Sequence, residues 1–177
     1  EVKNNKKVKV LNLFSYTGGA TVACLYAGAS VCHVDSSQGM VNWAKENVIS
    51  SGLKDSNVRF LVDDVIKFVK REIRRGNKYD VIIMDPPSYG RGKNGEVWNI
   101  EKDFADLIEL CSNVLSDNPL FMLVNTYTGG LSGTIIQNVI KMQLGKNIKT
   151  ISFDEIGLKQ KDSEFFLPCG ITTICEF

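Results

Sequence analysis

Val8-Lys9-Val10-Leu11-Asn12-Leu13-Phe14-Ser15-Tyr16-Thr17-Gly18-Gly19-Ala20 is the stretch that decides the fold. Val8 to Phe14 reads as a buried strand, and the loop after it runs through a glycine pair into a helix. The strand signal returns at Val31 to Val34, Val58 to Val62, Val81 to Met84 and Leu120 to Val124. Each run is short, β-branched or aromatic, and bounded by turn residues or charges, as central parallel strands are. Amphipathic helices lie between them. Met40, Trp43, Ala44 and Val48 form one stripe, Val65, Phe68, Val69 and Ile73 another, and Phe104, Leu107, Ile108, Cys111 and Leu115 a third. Leu131 to Met142 offers a further helix through Ile135, Ile136, Val139 and Ile140. Such alternation predicts an α/β fold: a doubly wound, mostly parallel sheet with helices on both faces. The tail differs. Thr150 to Ile156 and Ile171 to Phe177 read as strands joined by a loop holding Phe165, Phe166, Leu167, Pro168 and Gly170. With no clear helix between them, they predict an antiparallel C-terminal hairpin and a seven-stranded sheet.

The 177 residues suffice for one domain with a sizeable core, and 44% hydrophobic content excludes a disordered chain. Lys plus Arg is 21 against 20 for Asp plus Glu, so bulk charge gives no support to a polyanion partner. No apolar run approaches the ~20 residues of a membrane span, and no signal peptide opens the chain. The five cysteines (Cys24, Cys32, Cys111, Cys169, Cys175) contain no Cys-x-x-Cys pair. Neither a disulfide scaffold nor a metal site is expected, and a reducing cytoplasm fits. A basic leader (Lys3, Lys6, Lys7) precedes the first strand, and the loose stretch is Gly90 to Gly95. Because the chain opens on Glu1, it is expected to be a piece of a longer polypeptide.

In a sheet of this kind ligands sit outside the carboxyl ends of the strands. Gly18 and Gly19 would let the backbone approach a ligand closely, or serve a tight strand-to-helix turn. Phe14 and Tyr16 stand where a dinucleotide fingerprint has its first glycines, which counts against NAD and a pyrophosphate. Asp35 ends the second strand, where a carboxylate accepts hydrogen bonds from both ribose hydroxyls of an adenosine ligand. It would equally cap the helix that begins near Ser36. Asp63-Asp64-Val65 follows the third strand: a carboxylate there suits the adenine amine and a backbone N–H the ring, or either Asp is an N-cap. His33, the sole histidine, sits among apolar neighbours and reads as a packed core residue, not a base.

Asp85-Pro86-Pro87-Ser88-Tyr89 follows the fourth strand directly. Two prolines fix the backbone and remove two N–H donors, leaving a rigid turn that presents carbonyl oxygens and a carboxylate. Such acceptors suit a planar nitrogenous substrate, and Tyr89 offers a stacking face. Beyond it, Arg91 and Lys93 lie in a Gly-rich loop that either clamps a phosphate backbone or is merely solvated. Trp98 either stacks on a substrate or pins that loop to the core.

With these residues in view, Leu11-Asn12-Leu13-Phe14-Ser15-Tyr16-Thr17-Gly18 resembles the cofactor loop of a known family. These are bacterial class I S-adenosylmethionine-dependent methyltransferases that act on bases of large-subunit ribosomal RNA. Asp85 to Tyr89 is similar to their Asp-Pro-Pro-x-aromatic motif. Gly90, Arg91 and Gly92 to Glu96, Val97 and Trp98, and then Leu167-Pro168-Cys169-Gly170-Ile171, fit one branch of that group. The resemblance covers nearly the whole chain and implies a Rossmann-like class I methyltransferase fold with S-adenosyl-L-methionine as cofactor. Phe14, Ser15, Tyr16, Thr17, Gly18 and Gly19 would surround its methionine part, with Asp35 and Ser36 at the ribose and Asp63, Asp64 and Val65 at the adenine. Asp85, Pro86, Pro87 and Tyr89 would form the catalytic turn, and Ser88, Tyr89, Arg91, Lys93 and Trp98 the RNA side.

The chain departs from the family twice. Members usually carry an N-terminal RNA-binding module, which these residues lack. Members that methylate cytosine carbon-5 place a nucleophilic Cys after the fifth strand, where this chain has Asn125-Thr126-Tyr127-Thr128. The expectation is therefore the catalytic domain, residues 1–177, of a cytoplasmic rRNA methyltransferase acting on a base nitrogen. Its partner is RNA, with no metal and no membrane, and no cysteine adduct forms. The alternative is a non-catalytic S-adenosylmethionine-binding module of an RNA-binding protein, against which the intact Asp-Pro-Pro motif argues.

Overall fold

The first strand and its neighbours pair in parallel, as their continuous apolar runs require. A computed structural model describes residues 7–92 and 95–177. In chain order the first half comprises β1 (Lys9–Leu13), α1 (Gly19–Tyr26), β2 (Ser30–Asp35), α2 (Gln38–Ser50), β3 (Val58–Val62), α3 (Val65–Arg75) and β4 (Val81–Met84). The second half comprises β5 (Tyr89–Arg91), β6 (Val97–Asn99), α4 (Ile100–Ser112), β7 (Phe121–Thr126), α5 (Gly133–Leu144), β8 (Thr150–Lys159) and β9 (Phe166–Glu176). The main sheet has seven strands in the order β3-β2-β1-β4-β7-β9-β8. β9 runs antiparallel between β7 and β8.

Alternation along β1 and β4 sends side chains to two cores. Leu11, Leu13, Ile82 and Met84 pack with Phe68 of α3, Leu107 and Ile108 of α4 and Ile136 and Ile140 of α5. Val8, Val10 and Val81 pack on the other face with Leu25 of α1 and Val48 of α2. The strand order reverses between β1 and β4, so a crevice opens at their carboxyl ends.

Three expectations are corrected. In α2 the buried residues are Val41, Ala44 and Val48, and Trp43 is 52% exposed. The helix turns its small residue inward because Ala44 meets Gly18, leaving no room there for an indole. Of the stretch expected to be loose, Gly90 and Arg91 belong to a strand, Tyr89–Arg91, that pairs antiparallel with Val97–Asn99, and Lys93 and Asn94 lie outside the described residues. The C-terminal strands are also longer than their apolar cores suggest, and Phe166 to Gly170 belongs to β9, not to a loop. A register shift at Ile156/Gly157 accommodates the extension. Gly170, at φ 109, lies so near the Thr126 carbonyl that an added Cβ would stand 2.4 Å from it.

One buried charge was not legible. Glu72 on α3 is fully buried, although its sequence neighbours Val69 and Ile73 mark the apolar stripe. It accepts hydrogen bonds from the Tyr79 hydroxyl (2.7 Å), Asn77 Nδ2 (2.8 Å) and Arg75 Nη1 (3.1 Å). Burial raises its carboxyl, and these donors more than offset it, so the net shift is downward. Among the described residues no helix is long and apolar enough to cross a membrane, and no group of three His, Cys, Asp or Glu could hold a metal ion.

Candidate functional site

The loop after β1 is held in an unusual shape. Phe14 (φ 52) and Tyr16 (φ 48) both occupy the left-handed region, which costs a non-glycine residue roughly 1–2 kcal/mol. Ser15 compensates by stapling the loop to β2. Its Oγ donates to the Asn12 carbonyl (2.6 Å), accepts from Val34 N (3.2 Å), and its own N–H donates to the Val34 carbonyl (3.1 Å). Ser15 is thereby buried and committed within the fold. Asn47 Nδ2 donates to the Thr17 carbonyl at 2.8 Å, a support that sequence reading missed because Asn47 lies one helix away.

The glycines separate in role. Gly18 has φ 85, and an added Cβ would stand 2.9 Å from the Ala44 Cβ, so loop geometry alone demands glycine. Gly19 opens α1, and a Cβ added there would meet nothing within 4 Å. Beneath the loop, Asn12 Nδ2 donates to Thr21 Oγ1 (2.9 Å), which lies 2.9 Å from His33 Nδ1. His33 is buried, and burial lowers its pKa to about 4 against an opposing pull from Asp35. The imidazole is neutral and belongs to the core, as expected.

At the end of β2, Asp35 Oδ2 accepts from Tyr16 N and Oδ1 from Ser37 N, both at 2.9 Å. The N-cap of α2 is Ser37, which accepts from Met40 N, so the cap that sequence alone allowed for Asp35 belongs to the serine two residues on. Asp64 caps α3 by accepting from Lys67 N at 2.9 Å, and Asp63 pairs with Arg71. Ser36, Asp63, Asp64, Lys67 and Glu96 line a cleft of about 110 Å³, with a Lys67–Glu96 ion pair across it. The Val65 side chain goes into the core, so its N–H in the first turn of α3 is what it can offer that cleft.

The Asp-Pro-Pro turn is partly self-occupied. Asp85 is exposed; its Oδ1 accepts from Asn125 Nδ2 at 3.0 Å, and partial desolvation raises its carboxyl against that hydrogen bond. Pro86 is buried. The Pro87 carbonyl accepts Trp98 Nε1 at 2.7 Å, so it is not free for a ligand. Trp98 is 8% exposed, tilted against the Phe14 ring at 5.0 Å, and takes the pinning role of the two left open by sequence. Ser88 Oγ lies 2.6 Å from Thr128 Oγ1 and its carbonyl accepts Ile100 N, which ties the turn to the loop after β7 and to α4. Tyr89 is 51% exposed, with Arg91 Nε donating to its hydroxyl and the guanidinium over its ring. Lys93 lies outside the described residues.

Burial pushes the thiols of Cys32, Cys111 and Cys175 up to about 11, 12 and 11, and raises that of Cys24. Cys169 lines a cavity of about 520 Å³ with Thr126, Tyr127, Thr128, Pro168 and Gly170, at the carboxyl end of β7. Roomier cavities of about 810 and 570 Å³ lie at the other end of the strands, beside Asn118 and Val8, away from the Asp35 and Asp85 loops.

The reversed strand order, the strained first loop with Asp35 at its flank, and β9 inserted antiparallel before the edge together define a Rossmann-like class I methyltransferase fold. Residues 2–126 match the S-adenosylmethionine-dependent methyltransferase family, and the chain belongs to that family. It is 39% identical over 127 residues to a ribosomal RNA large subunit methyltransferase I of Erwinia tasmaniensis, covering 71% of this chain and 31% of that protein. A crystal structure of a SAM-dependent methyltransferase from Agrobacterium tumefaciens superimposes with a TM-score of 0.92 at 32% identity, over 97% of this chain and 56% of that one. SMU.776, a methyltransferase solved in complex with SAH, superimposes with a TM-score of 0.77 at 28% identity, over 94% of this chain and 44% of that one. The chain thus spans about a third of the curated relative's length.

Proposed function

We propose that this chain is the catalytic domain of a cytoplasmic RNA methyltransferase that modifies a base nitrogen, with ribosomal RNA as substrate and an RNA-binding module elsewhere in the polypeptide. The observation that carries this reading is Asp85. It is an exposed carboxylate at the carboxyl end of β4, on a proline-stiffened turn, at the same end of the sheet as Asp35. The names of the curated relatives supply the class of RNA.

The crevice fits the family's cofactor. Each Asp35 oxygen accepts one backbone N–H and keeps a second acceptor position, which suits the two hydroxyls of a ribose. Asp64 and the Val65 N–H would hold the adenine, with Ser36 and Asp63 at the rim of that cleft. Phe14 to Gly19 would enclose the methionine part. When bound, S-adenosylmethionine supplies an electrophilic methyl group.

This chain's residues align the acceptor. The Asp85 carboxylate and the Pro86 carbonyl accept N–H groups of a base, and Tyr89 stacks on it while Arg91 meets a phosphate. Alignment of this kind contributes roughly 7–11 kcal/mol when the geometry is near attack. A ring nitrogen with a free lone pair needs no general base, and His33 is buried and neutral. The test uses the full-length protein and ribosomal RNA from a strain lacking the gene, with a labelled methyl donor and mass spectrometry of the nucleosides. Label on a base nitrogen is expected. Label on cytosine carbon-5, or a covalent complex with 5-fluorocytosine RNA that Cys169→Ser removes, contradicts the reading.

A further inference from the structure

We infer that Asn125 and Thr172 are positioning residues that hold the Asp85 carboxylate in place, so that the C-terminal hairpin reaches the acceptor site. The inference rests on the role given to Asp85 above. Asn125 on β7 and Thr172 on β9 face each other directly across the antiparallel pair. The Thr172 hydroxyl donates to Asn125 Oδ1 at 3.0 Å, and Asn125 Nδ2 donates to Asp85 Oδ1 at 3.0 Å. The direction of this relay is forced by chemistry. An amide rotated the other way would set its carbonyl oxygen against an ionised carboxylate, so the carboxylate fixes the amide and the Thr172 hydroxyl, able to donate or accept, donates to Oδ1.

Asp85 needs such a hold. Pro86 restricts the backbone of the residue before it, so the turn itself is rigid. The carboxylate, however, can still swing about its own broad terminal torsion. Asn125 removes that freedom by taking Oδ1, and Oδ2 is left for an acceptor N–H. Among the described residues, Tyr127 is an ionisable group within reach of it: its phenol is raised by burial and by the Asp85 charge.

The relay is tested first without any substrate, by carbon-13 NMR titration of the Asp85 carboxyl. The Asn125 donor lowers the Asp85 pKa, so Asn125→Ala should raise it. Thr172→Val keeps the β-branched strand residue and loses only the hydroxyl. It should raise the value by less, and Thr172→Ser should restore it. In turnover, Asn125→Ala should lower kcat about tenfold, the scale of one hydrogen bond to a charged group. Its cofactor Kd should stay within a few fold, and its acid limb should move to higher pH. An Asp85 titration unchanged in Asn125→Ala, or Thr172→Ser behaving as Thr172→Val does, would overturn the inference. If the titration shifts as described while methyl transfer is untouched, the relay stands and the acceptor role of Asp85 fails.

Discussion

Acidifying the protein should destabilise it through His33, and the size of the effect follows from the structure. Thr21 Oγ1 accepts from Asn12 Nδ2 and lies 2.9 Å from His33 Nδ1, while the buried Nε2 has no hydrogen-bond partner. A second proton would charge a fully buried ring whose Nε2 has nothing to bond. Burial accordingly lowers the pKa from 6.5 to about 4. In the unfolded chain the ring titrates near 6.5, so the folded state is fully favoured above that pH and loses stability as pH falls from about 6.5 to about 4. At 1.36 kcal/mol per pH unit, the loss is about 2 kcal/mol at pH 5 and approaches about 3 kcal/mol below pH 4. The assay is urea denaturation at pH 8 and pH 5 for the wild type and His33→Val. The variant has a constant deficit from its unpaired Thr21, so the informative quantity is the change in the gap between the two proteins. That gap should shrink by about 2 kcal/mol at pH 5. A gap independent of pH would refute the neutral, buried assignment.

Gly18→Ala should cost about 2 kcal/mol from its left-handed backbone and its contact with Ala44, while Gly19→Ala stays within about 0.5 kcal/mol, both read by thermal denaturation. Glu72 has a lowered carboxyl, so its contribution is present above about pH 4.3 and fades as pH falls further; acid denaturation of Glu72→Gln should lack that component. Trp98→Phe removes the donor to the Pro87 carbonyl and should cost about 1–3 kcal/mol of stability. It should also lower kcat more than it weakens cofactor binding, because the affected turn carries Asp85.

The parallel part of the sheet was legible because central parallel strands need continuous apolar runs, and the five runs from Val8 to Val124 are its five strands, with the two C-terminal runs forming the antiparallel pair. The errors arose where local pattern and tertiary demand part. Trp43 fits a helical stripe by spacing, yet the face that packs is chosen by the close approach of Ala44 to Gly18. Gly90 to Gly95 has the composition of a loop, and three-residue strands carry too little periodicity to show their pairing. Asp35, Asp64 and Asp85 could be picked out because each ends a strand or opens a helix at the same edge of the sheet. Their partners could not. Asn125, Thr172 and Asn47 are distant in sequence from the groups they support, and no local rule links them. The commitment of the Pro87 carbonyl to Trp98 was invisible for the same reason.

The account places cofactor binding and acceptor binding on different carboxylates of one crevice, and calorimetry of S-adenosylmethionine with three proteins tests that division most directly. The wild type should bind. Asp35→Ala should lose roughly 1.5–3 kcal/mol, or about 10- to 150-fold in Kd, as expected for hydrogen bonds to a charged group. Asp85→Ala should bind within a few fold of the wild type. Equal losses in the two variants, or no binding by the wild type, would contradict the account.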